Sequence, residues 1–327
     1  MIEHIPPSLK DRQIGVSLVE LMITLVVSLL LVGGLIQVYL STKQSYNAQE
    51  QLARMQESAR FSMDLITRDL RRAGYWGGNV DTSTITGNPG PKLDPTNTCT
   101  GTGDPDWGRM ITFRVSGVNN SAADYGCAAG YDTDIGSDIL TIRYAGPEPL
   151  ATGATPDDDR LYLRSTLFAG RLMTGIEKNS SENLLPPNDP DTPDHLLAVV
   201  RPIVATAYFI GTSDAVCAGE SVPSLFRVRL DAAGTPGEPE ELAPGIEQLQ
   251  VRYLHNGAYV DANVVGDDWP NVSAVRVWLL ARGECPEPGL NSTTEYLVGD
   301  TTWPPTPDSF RRQLYVSTVM LRNNRVK

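Results

Sequence analysis

The sequence predicts an α+β protein in which one long N-terminal helix packs on a mostly antiparallel β-sheet. Three patterns predict it. Val16 to Leu40, VSLVELMITLVVSLLLVGGLIQVYL, is apolar except for a single charge, Glu20. From Gln49 to Ala73 apolar residues recur at steps of three and four, the helical period. Beyond Gly74 that period disappears, and short alternating runs follow, separated by segments rich in Pro, Gly and Asp.

Residues 1–15 form a short polar leader, MIEHIPPSLKDRQIG, with Lys10 and Arg12 just ahead of the apolar run. A secretory signal places its small-residue cleavage site after the apolar region. Here the small residue, Gly15, comes before it. Residues 16–40 rise about 1.5 Å each as a helix, enough to cross a hydrocarbon core roughly 30 Å thick. A carboxylate in such a segment costs about 2.5–3.5 kcal/mol to insert, so Glu20 calls for a partner.

Residues 41–74 continue the helix with an amphipathic pattern. Leu52, Met55, Ala59, Met63, Ile66, Leu70 and Ala73 share one face. Glu50 with Arg54, Glu57 with Arg60 and Asp64 with Arg68 stand at helix-neighbour spacing on the other. Arg71 and Arg72 suit the negative end of the dipole, and Gly74 suits a stop. One helix over Val16–Ala73 would be about 87 Å long. Gly33-Gly34 costs roughly 1 kcal/mol per glycine in a helix interior. The pair fits local unwinding or close helix packing, and both readings stay open.

Residues 75–327 read as a β-rich domain. Strands are expected at Arg109–Val115, Asp138–Tyr144, Arg160–Arg164, Leu196–Ile210 with a break at Pro202, Leu225–Asp231, Ile246–Leu254, Val272–Arg282 and Gln313–Arg322. Leu249, Val251 and Tyr253 alternate with Gln250 and Arg252, and Val275, Val277 and Leu279 with Arg276 and Trp278. That is half-buried antiparallel sheet. Loops are expected at Gly146–Asp159, Pro186–Pro193, Gly234–Pro244 and Thr301–Pro307. Of Trp76, Trp107, Trp269 and Trp303, about half are expected in the core and the rest could mark partner surfaces.

Composition narrows the function. The chain has 327 residues and a net charge of −12, without a basic stripe, which makes it a poor nucleic-acid binder. Cys99, Cys127, Cys217 and Cys285 all follow the apolar segment and lack the close pairing of a zinc site. In an oxidising compartment they would pair, with three possible connectivities. Near-neighbour pairing, Cys99–Cys127 and Cys217–Cys285, closes the smaller loops and is favoured. His4, His195 and His255 have no nucleophile motif around them, and no phosphate-binding loop appears. No cofactor and no enzymatic activity are expected. Asp132, Asp134 and Asp138 place oxygens at alternate positions, a calcium candidate that lacks the full loop spacing. The bland alternative is a solvated loop at a strand entry.

The string G-V-S-L-V-E, Gly15 to Glu20, resembles the signal of type IV prepilins and pseudopilins. LVELMITLVVSLLL, RDLRRAGYWGG, PGIEQLQVRYL, VSAVRVWLLAR and LYVSTVMLRN are similar to blocks of the PilW-type minor pilins of type IV pili. The resemblance implies a pilin-like fold. It also implies cleavage between Gly15 and Val16 by a prepilin peptidase, methylation of the new Val16 amine, and charge pairing of Glu20 with that amine on a neighbouring subunit. The family's usual first mature residue is Phe, and Val16 departs from it. The implied partners are other minor pilins, the major pilin, the inner-membrane assembly machinery and a tip adhesin. The implied location is the bacterial inner membrane, with the C-terminal domain periplasmic, and then the pilus tip. The implied role is priming of filament assembly near the tip. The J-type minor pseudopilins of type II secretion are the nearest alternative. A single-pass anchored ectodomain with an enzymatic or ligand-binding role is the remote one.

Overall fold

The computed structural model describes residues 15, 17–87, 99–101, 104, 106–120, 125–131, 136–151, 154–179, 198–304 and 307–323. The chain divides into two compact units, Met1–Glu50 and Gln51–Lys327. Helix α1, Leu18–Arg72, supplies residues to both.

In the first unit α1 opens with the amide of Leu21 donating to the carbonyl of Ser17. It runs through Gly33 and Gly34 without interruption, and open space surrounds both glycines. Its apolar side chains are exposed throughout, from Leu18 at 76% to Leu40 at 51%. Among the described residues it is the one helix long and apolar enough to cross a membrane.

The second unit is built on two sheets. The strands in chain order are β1 (Ile85–Gly87), β2 (Val115–Val118), β3 (Ile139–Ala145), β4 (Leu161–Ser165), β5 (Gly170–Thr174), β6 (Val199–Cys217), β7 (Glu220–Arg229) and β8 (Glu240–Pro244). Then come β9 (Ile246–His255), β10 (Ala258–Val260), the short helix α2 (Ala262–Val265), β11 (Ala274–Arg282), β12 (Tyr296–Val298), β13 (Thr301–Trp303) and β14 (Arg312–Met320). The larger sheet runs β1-β5-β4-β6-β3-β2, with β7 also on β6 and β8 on β7. The smaller sheet runs β10-β9-β11-β14, and β12 pairs with β13. Only the short β1–β5 pair is parallel among these ladders; the fold is α+β, one long N-terminal helix with mostly antiparallel sheet.

The helical stripe does what its period predicts. Met55, Ala59, Ile66, Leu70 and Ala73 are buried against Ile142, Tyr208, Leu249, Val251, Val275, Val277 and Leu279. Leu52 and Met63 pack at the margin. Each fully buried large side chain contributes about 1.5–3 kcal/mol. On the outer face Asp64 and Arg68 approach to 3.6 Å in solvent. A second apolar cluster joins Trp107, Tyr125 and Cys127 to Ala205, Ala207, Phe209, Phe226 and Val228. Neighbouring β6 and β7 residues therefore feed different clusters, and the larger sheet is covered on both faces.

Several expectations change. Arg109–Val115 is not a strand. Trp107–Arg109 is a helical turn and the strand begins at Val115. The reason is Arg143, whose guanidinium takes up the Trp107 and Phe113 carbonyls that a ladder would use. β6 passes through Pro202, which stands opposite Tyr162 in the β4 register, without a break. The expected loops at Gly234–Pro244 and Thr301–Pro307 contain β8 and β13. β5 was not expected from alternation. The Pro186–Pro193 loop lies outside the described residues. Trp76, Trp107 and Trp269 are buried, and Trp303 is half-buried.

Candidate functional site

Two sets of residues matter: the exposed start of α1, and the buried polar groups that fix the domain's form. Glu20 sits in the first turn of α1, where a carboxylate meets the positive end of the helix dipole. It is the only charge between Ser17 and Thr42. The hydroxyls of Thr24, Ser28 and Thr42 donate to the carbonyls of Leu21, Leu25 and Val38, so they are satisfied within the helix. Glu20 therefore stands out as the one charge that an apolar surrounding would leave unmatched. Gly15 is exposed, with no atom within 4 Å of the place a Cβ would occupy. Val16 lies outside the described residues.

At the other end the helix is closed by distant residues. The Gly74 amide donates to the carbonyl of Arg143, and Gly74 adopts φ +73°. Asn323 donates from Nδ2 to the carbonyls of Arg72 and Ala73, satisfying the last turn. Asp69 lies inside the apolar stripe. Its carboxylate accepts from the Tyr144 hydroxyl at 2.9 Å and the Tyr208 hydroxyl at 2.7 Å. Burial, and then the Asp69 charge, push the Tyr144 phenol up to about 12 and Tyr208 higher still. Both phenols stay protonated and serve as donors. Arg143 is fully buried and donates from Nε to the Trp107 carbonyl and from Nη1 to the Phe113 carbonyl. Burial lowers its pKa to about 10, which still leaves it charged at neutral pH.

A second charged knot holds the smaller sheet. Glu247 accepts two bonds from Arg312, from Nε at 2.5 Å and Nη2 at 2.9 Å. Arg312 also bonds Asp308, and Arg282 Nη1 lies 3.7 Å from Glu247. Burial pulls the Arg312 pKa down, but the Asp308 and Glu247 carboxylates outweigh it and hold it above the usual arginine range.

Of the calcium candidates, Asp132 and Asp134 lie outside the described residues. Asp138 is buried, and its two oxygens accept from the Asn120 and Val251 amides at 2.9 and 2.7 Å. It ties the two ends of the β2–β3 connection to each other and to β9. Among the described residues no group of three His, Cys, Asp or Glu side chains is placed to hold a metal ion. Burial pushes the Asp138 carboxyl up to about 7, against the lowering effect of its two amide donors. The folded protein thus holds this proton more tightly than the unfolded chain. The Asp138 contribution to stability is highest below about pH 4 and declines as pH rises toward 7, by up to about 4 kcal/mol. Comparing thermal melts of wild type and Asp138→Asn between pH 4 and 7.5 should show this decline in the difference between them. A pH-independent difference would contradict it.

Cys99 pairs with Cys127 and Cys217 with Cys285. The first bridge belongs to the cluster behind the larger sheet. His4 and His195 are outside the described residues, and His255 bonds Asp268 at 2.7 Å beside the Asn256-Gly257 turn.

Residues 207–323 match the family described as type IV pilus-assembly protein W. The match takes in β7 through β14, and so the whole smaller sheet and the Glu247–Arg312 knot. It bears out the PilW-type resemblance of PGIEQLQVRYL, VSAVRVWLLAR and LYVSTVMLRN, all of which fall within it. A type IV-like pilin from Thermus thermophilus, TTHA1219, aligns over 83% of this chain and 98% of its own, at 12% identity and a TM-score of 0.35. No curated protein matches the chain in sequence.

Sequence reasoning missed Asp69, Arg143, Glu247 and Arg312. Asp69 left a signal, because it falls between Ile66 and Leu70 on the apolar stripe. Glu247 left a weaker one, beside Ile246 at the head of β9.

Proposed function

We propose that the chain is a minor pilin of a type IV pilus, a structural subunit and not an enzyme. It inserts in the inner membrane through residues 16–40, with its C-terminal domain periplasmic. A prepilin peptidase cuts between Gly15 and Val16 and the Val16 amine is methylated. The subunit then joins other minor pilins and the major pilin through the assembly machinery, primes the filament, and stays near the tip, where it helps to present an adhesin.

One observation carries this reading. An exposed apolar stretch of α1, Leu18 to Leu40, with one carboxylate in its first turn, precedes a domain whose C-terminal part matches the PilW family. In low dielectric an amine and a carboxylate attract strongly, and either alone is penalised. Docking of protomers would let the Glu20 of one meet the Val16 amine of another.

Intact-mass analysis of protein recovered from sheared surface fibres tests the proposal. The expected species begins at Val16 and carries one added methyl group. A chain in fibres that still begins at Met1, or a chain never found in fibres, overturns it.

A further inference from the structure

β14 ends the smaller sheet, and its outer edge is open among the described residues. It pairs with β11 over nine residues, Arg282↔Arg312 to Ala274↔Met320, without a bulge. The Gly283 amide donates to the Arg311 carbonyl, and the Leu321 amide to the Ser273 carbonyl. Those flanking bonds place the odd-numbered residues of β14 against β11. By the alternation of an antiparallel ladder, the amides and carbonyls of Leu314, Val316, Thr318 and Met320 point the other way. The Tyr296 hydroxyl, donating to the even-numbered Arg312 carbonyl at 3.0 Å, marks that outer side. On the solvent face of the same strand Val316 is 52% and Met320 60% exposed.

Open edges invite unwanted pairing, and proteins blunt them with short strands, charges, prolines or bulges. The other edges here are blunted. β1 and β10 have three residues each and β2 four. β8 carries Glu240, Glu241 and Pro244. On β14 the one charge, Arg312, is turned inward onto Glu247 and Asp308, and the rest, Gln313 to Met320, QLYVSTVM, contains no charge and no proline. A long edge with no bulge and no outward charge persists where something covers it.

Charge identifies what covers it. Arg276 lies beside the edge, donating from Nε to Thr318 Oγ1 at 3.0 Å, and Arg322 follows the strand on the surface. A second copy paired antiparallel across this edge would bring those arginines toward the arginines of its own kind. Two chains of net charge −12 would also repel. We propose that the β14 edge takes up an extended segment of a different pilus subunit as an added strand. That segment has apolar residues at alternate positions over Val316 and Met320 and carboxylates that meet Arg276 and Arg322. Backbone hydrogen bonds supply the affinity and the alternate side chains the selectivity. This rests on the minor-pilin reading.

Hydrogen exchange of the full chain, in detergent and in sheared fibres, tests it. The amides of Leu314, Val316, Thr318 and Met320 should slow at least about tenfold in fibres, while Tyr315, Ser317 and Val319 are slow in both. Val316→Pro removes one outward amide and leaves the β11 ladder intact, since an edge strand tolerates proline on its open side. It should melt within a few degrees of wild type and fall about tenfold in fibres. A photo-reactive side chain at position 320 should link to an extended segment of another subunit. Fast even-numbered amides in fibres, or a link to the same chain or to a second copy, overturns the proposal. So does undiminished occupancy of Val316→Pro. If Val316→Pro unfolds, the exchange pattern of the wild-type chain decides. Wild-type chain missing from fibres would instead overturn the minor-pilin reading itself.

Discussion

Glu20→Ala should reach the membrane at the wild-type level and be depleted at least about tenfold from sheared fibres. The substitution removes the one charge in the apolar part of α1, so insertion becomes easier by about 2.5–3.5 kcal/mol on insertion scales. Assembly is what suffers on the proposed reading. The Val16 amine of a neighbour would lose its carboxylate inside an apolar bundle, and tenfold corresponds to only about 1.4 kcal/mol. Glu20→Asp keeps the charge on a shorter stem and should restore part of the occupancy. Glu20→Gln keeps the shape without the charge and should behave like Ala. Immunoblots of membranes and sheared fibres read all three. Normal occupancy of Glu20→Ala in fibres would remove the charge pair from the mechanism.

Glu247→Ala should destabilise the domain by about 3–5 kcal/mol, because it leaves Arg312, whose side chain is 1% exposed, without its main carboxylate. Asp308 would still hold one side of the guanidinium, which sets the loss toward the lower end. Arg282 would lose its nearest carboxylate at the same time. For a domain of this size the midpoint should fall on the order of 10 °C. Glu247→Gln retains one acceptor and should lose less. A melt of Glu247→Ala within about 1 kcal/mol of wild type would mean that Asp308 alone satisfies the arginine. Because the knot lies far from Glu20 in the chain, the two sets of variants separate folding from assembly.

How much was legible follows from how far apart the determining residues are. The stripe Met55, Ala59, Ile66, Leu70 is a local repeat, and it identified both the helix and its buried face. The alternation in β9 and β11 was equally local. Arg109–Val115 was misread because its conformation depends on Arg143, a buried cation supplied by another strand. β8 was misread because Glu240, Glu241 and Pro244 look like loop residues, yet they suit an edge strand. Gln248 and Gln250 alternate as solvent-facing positions should, but both are buried. The backbone at Gly299 lies against Gln250, so the β12–β13 hairpin covers that end of the sheet's outer face.

By itself the sequence determined the long helix, its lone carboxylate, the apolar stripe, the strand periods and the family resemblance of the C-terminal blocks. Each is a repeat or a short string, and its meaning survives without knowing what lies across from it. Only the tertiary structure decided that Asp69 is a buried acceptor for two tyrosines. Only it paired Glu247 with Arg312 and left β14 at an open edge. Those outcomes depend on strand order and on charges meeting across long stretches of chain. A buried charge is tolerable only beside its partner, and periodicity carries no information about which distant residue that partner is.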